Sequence, residues 1–175
     1  YACDLSDMED IDRMGQQVLA DFGRVDILVN NAGRSIRRAV MESLDRFHDY
    51  ERTMQLNYFG CVRLINVLLP AMVAQKGGQI INISSIGCLT NAPRFAAYVA
   101  SKSALDAFSR SLSSEVKKDN IDITTISGIV IARCARTAAR QAMVASTSFW
   151  RSTMRWVAPC SARSANASRS TPATS

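Results

Sequence analysis

The chain has 175 residues, 47% apolar and 21% charged, a balance that suits one globular domain, or part of one, with its own core. Its net charge of +6 is unevenly spread: residues 1–122 hold all 15 acidic residues and 14 of the 21 Lys+Arg, and residues 123–175 hold seven Arg and no acid. The basic excess belongs to the C-terminal stretch, and no basic stripe interleaved with aromatics remains, so nucleic-acid binding is not expected.

In chain order, residues 5–22 read as a helix with Ser6 as N-cap, Glu9 completing a capping box, an apolar stripe of Ile11, Met14, Val18 and Phe22, and Gly23 as the stop. Residues 25–29 are a nearly apolar strand that predicts cover on both faces, as in a parallel sheet. It runs into the turn Asn30-Asn31-Ala32-Gly33, and then into a basic loop or frayed helix with Arg34, Arg37 and Arg38. A long helix follows over about residues 44–75, with an apolar face of Leu56, Phe59, Val62, Leu64, Ile65, Leu68, Leu69 and Met72. Within it, residues 58–74 are interrupted by Arg63, Asn66 and Pro70, and no membrane span is expected.

Residues 79–83 form the next strand, which ends in Ser84-Ser85, and residues 84–93 a loop broken by Gly87, Asn91 and Pro93. Residues 95–118 read as a second amphipathic helix that buries Ala97, Ala100, Ala104, Leu105, Phe108, Leu112 and Val116, and residues 121–126 as a third strand. Strands alternating with crossover helices predict an α/β parallel sheet. After Ile131 the periodicity fails. The expected division is a partial α/β domain over residues 1–131 and an Arg/Ala/Ser-rich tail over 132–175, disordered or produced by a reading-frame change.

Cys3, Cys61, Cys88, Cys134 and Cys160 form no CxxC pair, and His48 is the single histidine, so no metal site is expected. Scattered thiols suit a reducing cytoplasm. No signal peptide is visible, and the chain starts at Tyr1 rather than Met, so the true N-terminus is expected upstream. His48 reads as an ordinary side chain, and Cys61 and Cys88 as packing residues.

The chemistry centres on Ser85, Tyr98 thirteen residues later, and Lys102 four beyond that. Tyr98 and Lys102 share one helix face, where an ammonium favours the phenolate and tunes the tyrosine for proton transfer at a carbonyl or alcohol oxygen. Asn57 lies 28 residues before Ser85 inside the preceding helix. These four positions, with the Asn30-Asn31-Ala32-Gly33 turn, resemble the short-chain dehydrogenase/reductase family over about residues 2–126.

The resemblance implies a Rossmann-type doubly wound parallel sheet, incomplete and representing the C-terminal part of the fold. It implies that Tyr98 gives and takes the proton, that Lys102 lowers its pKa and binds nicotinamide-ribose hydroxyls, that Ser85 steadies the substrate oxygen, and that Asn57 holds a relay water. It also implies that Asn30, Ala32 and Gly33 line the adenosine side of the cofactor and that Asp4 and Leu5 contact adenine. The glycine-rich phosphate loop would precede residue 1, and the usual proline turn and threonine after Ile126 are not matched by residues 127–133.

A narrower similarity, to bacterial fatty acyl-CoA reductases of this fold, is carried by residues 31–38, 45–60, 90–98 and 101–110 around the site. It implies reduction of a long-chain acyl-CoA or fatty aldehyde by NADP(H), with NAD(H) not excluded, and the arginines after Gly33 meeting coenzyme A phosphates. A homo-oligomer is carried over from the family. The alternatives are a general alcohol, ketone or 3-oxoacyl reductase, and an inactive remnant that only binds. The isolated chain is expected to be unstable and inactive.

Overall fold

The computed structural model describes residues 1–128 and 142–145. Helix α1 spans Met8–Phe22 and begins not at Ser6 but at Asp7, whose carboxylate accepts the amide N–H of Glu9 and Asp10. A carboxylate at the N-cap satisfies two orphan donors and meets the positive end of the helix dipole, which a serine hydroxyl does less well. Asp7→Ala is expected to cost about 1 kcal/mol in urea unfolding, and Ser6→Ala close to nothing. Gly23 ends the helix at φ 70°, as expected. Phe22, placed in the buried stripe by its spacing, is exposed and sits edge-on to the Tyr1 ring, because the last turn projects past the core.

Strands β1 (Ile27–Asn30), β2 (Gly78–Ile83) and β3 (Ile121–Ile126) form a parallel sheet in the order β3-β2-β1, and β4 (Ala142–Ala145) pairs antiparallel on the far edge of β1. β4 lies in the stretch read as without periodicity, and the rest of that tail lies outside the described residues. Leu28 and Ile80 are fully buried on one face of the sheet, whereas Ile27, Val29 and Ile81 on the other are only half-buried. The two-sided cover expected for residues 25–29 is therefore one-sided among the described residues.

The long helix is a composite of α2 (His48–Met54), a π-helical turn (Gln55–Phe59) and α3 (Gly60–Ala74). Pro70 is accommodated inside α3. A mid-helix proline costs about 3 kcal/mol, and the buried Leu64, Ile65, Leu68 and Met72 each return about 1.5–3 kcal/mol. His48–Ala74 is, by length and composition, apolar enough to cross a bilayer, more so than the interrupted pattern of residues 58–74 suggested, but its apolar stripe is spent on the core. Phe59, expected in that stripe, is exposed because the wide turn rotates it outward.

Within the loop that follows β2 lies the short helix α4 (Gly87–Thr90). Helix α5 (Ala96–Val116) buries Ala97, Leu105, Leu112 and Val116 as predicted, but Ala100 is exposed and Ala104 and Phe108 are half-buried. Ser101, Lys102 and Ser109 are buried instead. That exchange of apolar for polar residues on the inner face prepares the site.

Candidate active site

Parallel strands end on one edge of the sheet, and in open α/β sheets the crevice outside those ends is where ligands bind. Here the edge carries the loop after Asn30 and the loop after Ile83, with α5 crossing close by. Lys102 is almost wholly buried and reaches from α5 to donate to the Ile83 carbonyl at the end of β2, 2.8 Å away. Burial lowers its pKa below the ordinary lysine value, offset in part by the nearby Cys61 and Cys88 thiols. One of the three ammonium donors is thereby used; no other Lys102 hydrogen bond occurs among the described residues.

Asn57, fully buried on the π-helical turn, accepts the Arg34 amide (2.7 Å) and donates to the Arg34 carbonyl (2.8 Å) and to Ser101 Oγ (2.9 Å). Ser101 Oγ in turn donates to the Tyr98 carbonyl. A Cβ added to Gly33 would lie 3.4 Å from both Asn57 Oδ1 and Lys102 Nζ, so the glycine keeps open the space those two groups flank. Ser85 is buried and accepts the Gly87 amide at 3.1 Å. A Cβ on Gly87 would lie 3.3 Å from Ser85 Oγ and 3.4 Å from Val99, so this glycine lets the Ser85 loop lie against α5. The half-buried Tyr98 has no hydrogen bond from its hydroxyl among the described residues.

Lys102, Asn57 and Gly33 thus converge, with Ser85 and Tyr98 on the adjoining loop and turn. Asn30 and Ala32 are buried, and the Asn30 carboxamide turns inward to Asn82, which donates on to Ser109 Oγ on α5 (2.8 Å each). Asp4 and Leu5 stand at the start of the chain. Asp4 is exposed and accepts the Ser6 amide, and Leu5 is buried.

Two of the three loop arginines are occupied. Arg37 sits over the Phe95 ring, and Arg38 pairs with Asp49, which also meets Arg46 and His48. Arg34 is exposed, and its guanidinium has no partner among the described residues. Sequence reasoning missed Ser101, Asn82 and Ser109; only polar residues at inward positions of elements otherwise apolar hinted at them. No cluster of potential metal ligands occurs among the described residues.

A sequence profile of the short chain dehydrogenase family matches residues 1–144. The chain belongs to the short-chain dehydrogenases. It is 68% identical over 126 residues to a fatty acyl-CoA reductase of Acinetobacter baylyi, covering 72% of this chain and 43% of that protein. It is 50% identical over 125 residues to a fatty acyl-CoA reductase of Mycobacterium tuberculosis, covering 71% and 42%. This short-chain dehydrogenase therefore spans less than half the length of either relative. Among solved structures, a metagenomic short-chain oxidoreductase in complex with NADP has a TM-score of 0.69 at 32% identity, over 73% of this chain and 57% of that one. NAD+-bound xylitol dehydrogenase has 0.68 at 29%, over 73% and 48%. The fold is the Rossmann-type α/β fold of that family, here incomplete.

Proposed function

We propose that this chain is the catalytic portion of an NADPH-dependent fatty acyl-CoA reductase. The observation that carries this reading is the 68% identity to the Acinetobacter reductase across a stretch that includes all four site residues. The residues suit a nicotinamide cofactor: Gly33 leaves room against Lys102 and Asn57, and among the described residues Lys102 has donors to spare for ribose hydroxyls and the Tyr98 hydroxyl is uncommitted.

Bound NADPH would supply the hydride to the thioester carbon. As the carbonyl electrons move to oxygen, Ser85 Oγ and the Tyr98 hydroxyl steady the oxyanion with two donors. Collapse re-forms the carbonyl as aldehyde, expels coenzyme A as thiolate, and the thiolate takes a proton. Where the product aldehyde takes a further hydride from a second NADPH, Tyr98 gives the alkoxide its proton, and Lys102 with an Asn57-held water returns a proton to Tyr98. Among the described residues Arg34 is the loop arginine left without a partner, and it would meet a coenzyme A phosphate; Arg37 and Arg38 are committed to holding the loop. Asp4 and Leu5 would mark the adenine edge, and Asn30, Ala32 and Gly33 would line the adenosine side.

The second reading is an alcohol or ketone reductase, which the likeness to xylitol dehydrogenase favours; the third is a chain that binds without catalysing. The deciding experiment places the 126 matched residues into the Acinetobacter reductase in exchange for their counterparts and follows NADPH oxidation. Turnover with palmitoyl-CoA supports the proposal, turnover with ketones alone supports the second reading, and none with either the third. We assign the protein to the cytoplasm and read the full-length form as a homo-oligomer; the three described cysteines are free thiols, which agrees with that compartment.

A further inference from the structure

The π-helical turn Gln55–Phe59 touches two parts of the molecule that are far apart in sequence. Residues two apart on a helix point to nearly opposite sides. Asn57 faces the catalytic side, where it clasps Arg34 and Ser101. Gln55 faces the other way, and its Nε2 donates to the Ser6 carbonyl at 3.0 Å. The wide turn closes with the Gly60 amide bonded to the Gln55 carbonyl, five residues back. That leaves Gly60 against Leu5 so closely that any Cβ would overlap the Leu5 carbonyl oxygen. Two independent contacts, one polar and one steric, therefore fix residues 5 and 6 on the helix that carries Asn57. The held segment is itself a tight turn, with the Asp7 amide bonded to the Asp4 carbonyl and the Ser6 amide to the Asp4 carboxylate.

We propose that this turn sets the spacing between the two ends of the dinucleotide cleft, with Gln55 as the positioning residue for the Asp4–Ser6 end and Asn57 for the catalytic end. π-helical turns recur at functional sites because one extra residue re-aims neighbouring side chains without breaking the helix. Here the extra residue aims one carboxamide at each end of the cleft. Gln55 touches neither cofactor nor substrate; it acts through the Ser6 carbonyl. The cofactor part of this role rests on the reading of Asp4 and Leu5 as the adenine edge.

The test uses Gln55→Met, which keeps length and volume and removes the donor. In the chimeric reductase, hydrogen exchange of the Ser6 and Asp7 amides is expected to quicken about fivefold, the worth of one neutral hydrogen bond. In the same protein the KM for NADPH is expected to rise by a similar factor, with kcat and its pH profile unchanged. Gln55→Glu, which turns carboxylate oxygens towards the Ser6 carbonyl, should move both readouts the same way and keeps the test open if the methionine variant misfolds. Unchanged exchange overturns the proposal, and so does quickened exchange with an unchanged NADPH KM. A parent chimera without NADPH turnover would strike the functional reading instead, and exchange would then decide by itself whether Gln55 holds the turn.

Discussion

Tyr98→Phe is expected to lower kcat of the chimeric reductase by about 10²–10⁴-fold, the span that a positioned general acid or base contributes. The substitution removes one oxygen from a half-buried residue whose hydroxyl has no hydrogen bond among the described residues, so thermal stability should change little. A loss of turnover with an unchanged melting temperature separates a chemical role from packing. A variant that kept turnover within about threefold would remove Tyr98 from the mechanism, since so small a factor lies far below that span.

Lys102→Met is expected to do two opposite things. It lowers kcat of the chimeric reductase over the same span as Tyr98→Phe, and it stabilises the fold at neutral pH by about 1–2 kcal/mol. The ammonium is nearly wholly buried, has no carboxylate partner among the described residues, and donates to one carbonyl. Burial therefore depresses its pKa, and the sign of the pH dependence follows. Between the lowered folded value and the ordinary 10.5, the unfolded chain binds more protons than the folded one, so stability rises with pH across that window. The burial cost is fully present below the folded pKa and gone above the unfolded one. The stability gap between Lys102→Met and the parent should accordingly shrink as pH is raised towards 10.5. Urea unfolding at neutral pH and at two alkaline values measures it, and a gap that widened with pH would contradict the burial argument. A site residue whose removal stabilises the fold is kept for its chemistry.

Much of this was written locally. The strand–helix alternation follows from residue periodicity, and the placing of Tyr98 and Lys102 one turn apart on α5 follows from helical spacing alone, because both depend on neighbours within one element. Errors fell where neighbours in space decide. Phe22 and Phe59 keep helical register but lie outward, one beyond the last packed turn and the other on the wide turn. Asp7 took the cap from Ser6 because, as a carboxylate, it could serve two amides at once.

The order of motifs along the chain thus determined the family and the fold class, and nominated the four residues proposed for the site. Tertiary structure decided which groups those residues lean on. Ser101 meets Asn57, Asn82 links Asn30 to Ser109, and Gln55 meets Ser6. Each contact joins residues from 27 to 52 positions apart. Periodicity and spacing report on one element at a time, whereas a buried polar group finds its partner only when separate elements are packed together.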